Sequence, residues 1–322
     1  MNRRNLMTAT LALALMGGAG AFAPALAVDD LRIIAPAAPG GGWDQTARAL
    51  EAAINANSLA KTVTVENVPG AGGTVGLAQL VDKEKGNGNV LMVNGLVMVG
   101  AIITNKSPAT LEQVTPIARL TGEYEVIVVP ADSELKSLAD LVAKLKADTG
   151  SVSWGGGSAG GTDHILAGLI AKAAGADLTK LNYVPFSGGG EALAAIMGGH
   201  VTVGVSGYSE WAGQIQSGEL RALAISAPER VAGIEIPTLK EQGVGVDLAN
   251  WRAVVAPPGL DDAAKADLLK LVDAAVNSEA WKKTLEEKKW TNLYLAGQEF
   301  TDLVALETSR TTDILKTVGL AQ

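Results

Sequence analysis

Short β-branched runs alternate with amphipathic helical patterns almost to the end of this 322-residue chain, which predicts an α/β fold with mixed, mostly parallel sheets. The connections between runs are short, as in compact α/β domains. Glycine-rich turns stand where an apolar run gives way to a helical pattern. The first two units pair strands at 31–35 and 62–66 with helices at 44–56 and 73–81, and a third Val- and Leu-containing strand follows at 90–93. Runs at 116–120 and 124–130 are separated only by Thr121-Gly122-Glu123, which suits a crossing from one domain to another. The second half resumes the alternation, with a helix at 137–147, strand 152–154, helix 163–174, strand 182–184, helix 191–197, strand 201–205, helix 209–217 and strand 220–225. Residues 228–248 lack periodicity, and a strand at 252–256 follows, so the chain crosses back there. Helices at 261–276, 279–288 and 298–318 close the chain, the last with charges on one face and Leu303, Leu306 and Leu315 on the other. Two crossings make the first domain discontinuous: 28–122 plus 247–322, with 123–246 as the second. Ligands of open α/β sheets sit at the carboxyl ends of the strands, so a cleft between two such domains surrounds one ligand with both sets of strand ends.

The opening Met1-Asn2-Arg3-Arg4, the apolar run from Leu6 to Met16 and the small-x-small site Ala25-Leu26-Ala27 read as a secretory signal cleaved after Ala27. The apolar run is too short to span a bilayer, which takes about 20 residues. Arg3-Arg4 also fits a loose twin-arginine signal, although an ordinary positive leader is the simpler reading. No cysteine is present, which excludes disulfides, thiol catalysis, iron–sulfur clusters and a lipid-modified N-terminal cysteine. No later segment is long and apolar enough to cross a membrane, so a soluble periplasmic protein is expected. Loss of Arg3 and Arg4 moves the formal charge from −8 to −10, a poor basis for nucleic-acid binding. An anion site in such a chain must be built from local dipoles and a few placed donors.

Two turns have that character. Pro39-Gly40-Gly41-Gly42-Trp43-Asp44 and Gly155 to His164 each lie between a strand and a helix start, where backbone N–H groups are unpaired and the helix dipole is positive. Three successive glycines cost roughly 0.5–1 kcal/mol each in backbone entropy relative to alanine, more than a plain connection needs. The first turn is expected to hold a carboxylate on the amides of Gly41, Gly42 and Trp43. Asp44 fixes the turn or caps the helix, and Trp43 is either a lid or a packed aromatic.

The second turn matches two enzyme signatures. Gly156-Gly157-Ser158-Ala159-Gly160 fits the nucleophile elbow, but the chain has only His164 and His200, and His164 is too close in sequence to serve as an oriented base. Gly155, Gly157 and Gly160 fit the dinucleotide fingerprint, but the next strand ends in Pro185-Phe186-Ser187 and supplies no acid for the ribose. Anion binding survives, with Ser158, Thr162 and the amides of Ala159, Gly160 and Gly161 as donors and His164 as either a further donor or a structural residue. Turns at Pro69–Thr74, Ser187–Glu191 and Ser206–Ser209 repeat the pattern and put Gly72, Ser187 and Ser206 on the candidate list. Two distant histidines make no metal site, and no cofactor is expected. Arg48, Arg119, Arg221 and Arg252 are candidates for a charged clamp, and the sequence selects none of them.

Taken together, Pro39-Gly40-Gly41-x-x-Asp44 with Arg48, Asn67-x-Pro69-Gly70-Ala71-Gly72-Gly73, Ser158-x-Gly160-x-Thr162-x-His164, Ser187-Gly188-Gly189-Gly190-Glu191-Ala192, Gly198-Gly199-His200-Val201, Leu220-Arg221-Ala222-Leu223-Ala224, Pro237-Thr238-Leu239-x-Glu241-x-Gly243 and Ala256-Pro257-Pro258-Gly259 resemble the extracytoplasmic solute receptors of tripartite tricarboxylate transporters, the Bug receptors. The resemblance covers essentially the whole mature chain. It implies a two-domain, type II periplasmic-binding-protein fold with the ligand in the interdomain cleft. It also implies a monomeric receptor that delivers a small carboxylate to large and small integral-membrane subunits of an ion-gradient-driven system. In the family the loops at Pro39–Asp44 and Ser158–His164 contact the carboxylates, largely through amides and ordered water. Ala37-Ala38 depart from the commoner bulkier residues, and Gly42-Trp43 at the variable pair lean towards a citrate-like di- or tricarboxylate. The rivals are an exported hydrolase using Ser158 and a sensory receptor for a signalling kinase.

Overall fold

The computed structural model describes residues 28–317 and 319–321, so the expected export signal at 1–27 lies outside the described residues. The chain runs β1 (Asp30–Ala35), α1 (Gly42–Ala56), β2 (Thr62–Asn67), α2 (Thr74–Lys83), β3 (Val90–Gly95), α3 (Leu96–Thr104) and β4 (Thr115–Pro130). It continues with α4 (Leu138–Ala147), β5 (Ser153–Gly156), α5 (Thr162–Ala173), β6 (Asn182–Pro185), α6 (Gly189–Met197), β7 (Val203–Gly207), α7 (Tyr208–Gln216) and β8 (Leu220–Ile225). It ends with β9 (Ala249–Ala256), α8 (Asp262–Val276), α9 (Glu279–Lys288), β10 (Thr291–Ala296) and α10 (Gly297–Thr317).

Strand β4 organises the sheet. Its first part, Thr115 to Tyr124, pairs antiparallel with β9, and β10 adds to its other edge at Ala118–Gly122. Its last part, from Glu125, lies between β7 and β8, both antiparallel to it. The parallel pairs are β1 with β2 and β3 on either side of it, and β5 with β6 and β7, the βαβ units that the alternation of strands and helices demands. The sheets are therefore mixed. The antiparallel share comes from β4 and β9, which carry the chain across and back.

Three elements differ from expectation. The break expected at Thr121–Glu123 is continuous strand, since Thr121, Gly122 and Glu123 all pair with β9. Residues 96–104 form α3, whose run Leu-Val-Met-Val-Gly-Ala-Ile-Ile-Thr is buried over most of its surface and so shows no amphipathic stripe to distinguish it from a strand. Strand β10 is short, begins Thr-Asn and lies at an edge, so little apolar patterning marks it.

A large apolar core runs under the sheet, and a second cluster, with Val126, Val128, Ile196 and Trp211, packs below the β7–β8 side. The register of β1 against β2 sets Ala35 opposite Asn67, so both strands deliver their carboxyl ends to one place. Helix α3 lies against the turn after β5: a Cβ on Gly100 would strike the carbonyl oxygen of Gly160. That glycine pair lets the two sheets' strand ends approach. Gly100→Val should wedge them apart while leaving α3 intact. We expect an unchanged far-ultraviolet spectrum and a larger radius of gyration in small-angle scattering; identical scattering would show that the approach is not limiting.

Candidate binding cleft

The strand ends and helix starts enclose a cavity of about 600 Å³ between the first and second glycine turns. Its walls are helix N-termini. Helices α1, α2, α3, α5, α6 and α7 begin after Gly41, Gly73, Gly95, Gly161, Gly188 and Gly207, and none of these caps has a side chain to accept an amide hydrogen bond. Helices α4, α8 and α9 do not line the cavity, and they begin after Ser137, Asp261 and Ser278, whose side chains accept from Asp140, Ala264 and Trp281 amides.

In the first turn Gly40 takes a φ of +84°, which only glycine adopts cheaply, and this lets Gly41, Gly42 and Trp43 face the cavity. Asp44 points away. Its carboxylate accepts from the Gly40 amide at 2.8 Å, from Arg48 Nε at 3.0 Å and from Asn67 Nδ2 at 2.9 Å, tying the turn to the end of β2. Burial opposes its charge, but Arg48, Gly40 and Asn67 outweigh that and hold the carboxyl below its ordinary range. Trp43 is a buried wall of the cleft packed against Gly73 and Gly95, not a surface aromatic.

In the second turn Gly160, at φ +75°, plays the part of Gly40, and Ser158, Ala159, Gly161 and Thr162 line the cavity. Thr162 Oγ1 is buried without a partner. His164 supports this turn from behind. Its Nδ1 accepts from the Gly160 amide at 3.2 Å, its ring stacks on Tyr183 at 3.9 Å, and Tyr183 donates to the Gly157 carbonyl at 2.8 Å. Burial lowers its pKa to about 4, so it is neutral at physiological pH. Asp163 Oδ2 accepts from the Gly157 amide at 2.5 Å, so the start of α5 already carries a carboxylate of its own.

Among the expected site residues Gly41, Gly42, Trp43, Gly72, Ser158, Ala159, Gly161, Thr162, Ser187 and Ser206 line the cavity. Pro39, Gly40, Asp44, Gly160 and His164 are not on its wall, because they form the outer tip or the rear support of the two turns. Of the four arginines Arg252 alone lines the cavity. Arg48 holds Asp44, Arg119 donates to the Leu293 carbonyl, and Arg221 donates to carbonyls before α4. Arg252 is 2% exposed, pairs through Nη2 with Glu123, stacks over Trp290 and packs on Gly42, where a Cβ would collide with it. Its Nη1 has no partner, and burial pulls its pKa down to about 9, leaving it charged at neutral pH.

The sequence reading missed the acids opposite. Glu210 and Asp163 line the cavity, and Glu125 is buried behind them. Burial raises all three: Glu210 to about 7 and Asp163 to about 6, with Glu125 well above its usual range, pushed further by Asp163 and Glu210. A glutamate leading the apolar run Val126–Val129 was the readable signal.

Comparison with known proteins agrees with this geometry. The model of the tripartite tricarboxylate transporter family receptor matches residues 46–320. The chain belongs to this receptor family. It is 28% identical to BugT of Bordetella pertussis over 295 residues, covering 90% of this chain and 89% of BugT. MatC from Rhodopseudomonas palustris with bound malate superposes with a TM-score of 0.78 at 25% identity, over 89% of this chain and 99% of MatC. Rpa4515 of the same organism, with adipate, gives 0.82 at 22% identity, over 91% and 98% of the two chains. The two-domain periplasmic-binding-protein fold follows from these likenesses. Among the described residues no helix is long and apolar enough to cross a membrane.

The raised acids set a pH dependence. A carboxyl whose pKa rises on folding holds its proton more tightly in the folded state, so stability is full below about 4.5 and falls as pH climbs towards 7. We expect the ligand-free protein to melt at lower temperature at pH 8 than at pH 5.5, and Glu210→Gln to flatten that fall and melt higher at pH 8. An unchanged profile in the variant would remove Glu210 from this role.

Proposed function

We propose that this chain is a periplasmic receptor that binds a small di- or tricarboxylate between two domains, 28–122 plus 247–322 and 123–246, and delivers it to the membrane subunits of an ion-gradient-driven transporter. The observation that carries the reading is the uncapped start of α1 packed against Arg252, whose Nη1 is a buried donor with no protein partner. A carboxylate there receives charge-assisted hydrogen bonds and the positive end of a helix dipole. Family membership and the malate bound by MatC support the same class of ligand. The citrate-like preference suggested by Gly42-Trp43 stands as the sharper form of the proposal, and the acidic wall opposite weighs against so high a negative charge. Export through the signal at 1–27 belongs to the same proposal.

A Ser158 hydrolase gains no support. The His164 Nδ1 is committed to Gly160, and His200 is exposed in the connection after α6. Ser158→Ala should keep ligand binding to within about tenfold, since one neutral hydrogen bond is worth about 0.5–1.5 kcal/mol. The direct experiment is a thermal-shift screen of small carboxylic acids. A ligand at about 100 times its dissociation constant adds roughly 2.7 kcal/mol, a shift of several degrees. If no carboxylate raises the melting temperature, the receptor reading fails.

A further inference from the structure

The wall of the cleft that faces the first turn carries a cluster of hydrogen-bond acceptors among its hydroxyls and glycine amides. Asp163 and Glu210 line it, Glu125 lies buried behind them with neither oxygen partnered, and Asn250 Oδ1, on a residue 9% exposed that also lines the cavity, is unpartnered. Two glycines make room for these carboxyls: Cβ atoms on Gly189 and Gly156 would collide with Glu210 and with Asp163. Among the described residues lining the cavity Arg252 is the one cationic side chain, and Glu123 already neutralises it. Asp163 places a carboxylate in the first turn of α5 and accepts from the Gly157 amide of the preceding turn. The start of α1 is therefore the helix start of the cleft that lies beside a cation, Arg252, and opposite it stands a surplus of carboxyls over cationic side chains.

A fully anionic ligand would bring its second or third carboxylate against that surplus. Like charges in a desolvated cavity repel strongly, and buried acceptors without donors are costly. An ammonium group answers both problems, since it has three donors, no acceptor and a positive charge. We infer that the ligand carries a protonated amine together with its carboxylate, and that Asp163 and Glu210 receive the amine while α1 and Arg252 hold the carboxylate. Asn250 Oδ1 accepts a further ammonium hydrogen. This rests on the receptor reading above and names the ligand class within it: a small amino carboxylate in preference to its unsubstituted or hydroxylated counterpart.

Matched ligands test the inference. Titration calorimetry at pH 7.5 compares succinate, malate and aspartate, then glutarate and glutamate, with citrate alongside. The amino member of each set should bind at least tenfold more tightly than its unsubstituted and hydroxy partners. Glu210→Gln and Asp163→Asn, each checked for a cooperative melt, should cut that preference to threefold or less by weakening the amine-bearing ligand. Tighter binding of citrate, succinate or malate, or an amine preference that survives both substitutions, overturns the inference. Carboxylates that bind without regard to the amine overturn it while leaving the receptor reading intact; failure of every carboxylate to bind sinks both.

Discussion

Backbone N–H groups at the start of a helix have no partner within the helix, and everything in the cleft follows from how this chain treats them. Where a helix begins away from the cavity, Ser137, Asp261 or Ser278 fills the vacancy with its own side chain. Where one begins at the cavity, glycine stands at the cap and supplies no side chain to fill the vacancy. A side-chain cap typically adds about 1 kcal/mol relative to alanine but only a few tenths relative to glycine, so glycine forgoes little stability and keeps the amides available. Helix α7 shows what such an end attracts. Its Ser209 amide and hydroxyl both donate to Glu123, a carboxylate that the Gly207 cap leaves just enough space to reach.

Glu123 also connects the anion chemistry to the frame. It lies in the stretch of β4 that pairs with β9, and Arg252 lies in β9 itself, so the strands that carry the chain between the sheets also carry the buried ion pair. Desolvation makes such a pair expensive unless every oxygen and every N–H is answered. Glu123 is answered by Ser209 and Arg252, whereas Arg252 Nη1 is left without a protein partner. The site is thus electrically asymmetric, with a single cation half used on one side and three raised carboxyls on the other. This local pattern outweighs the acidic character of the chain as a whole, because fields within a desolvated cavity are far less screened than those at the surface.

Much of this was legible in the sequence. The glycine runs at 40–42 and 155–161 marked both turns, and the strand–helix alternation placed them at strand ends. Residue roles inside each turn were less legible, because Gly40 and Gly41 are the same letter, and only the fold reveals that one bends the chain while the other faces the cavity. His164 stayed open between donor and structural residue because the sequence does not show Tyr183 stacked on it. Arg252 could not be told from Arg48, Arg119 and Arg221, since the distinction lies in partners more than a hundred residues away, Glu123 for Arg252 and Leu293 for Arg119. Helix α3 and strand β10 escaped for a simpler reason: an apolar run buried over most of its surface shows no helical periodicity, and an edge strand needs little apolar patterning of its own.

The open cap of α1 admits a direct test. Gly41 has φ −70° and ψ 166°, the backbone of a serine cap, and a Cβ there would meet only the Ala38 carbonyl oxygen, at 3.3 Å, and the Ala37 methyl. In Gly41→Ser the new hydroxyl should accept the amides that face the cavity. The ligand-free protein should then be at least as stable as the parent, while affinity for the best binder among succinate, malate, aspartate and citrate falls at least tenfold by calorimetry. A Gly41→Ser protein that keeps both its stability and its full affinity would show that these amides are not where the carboxylate binds.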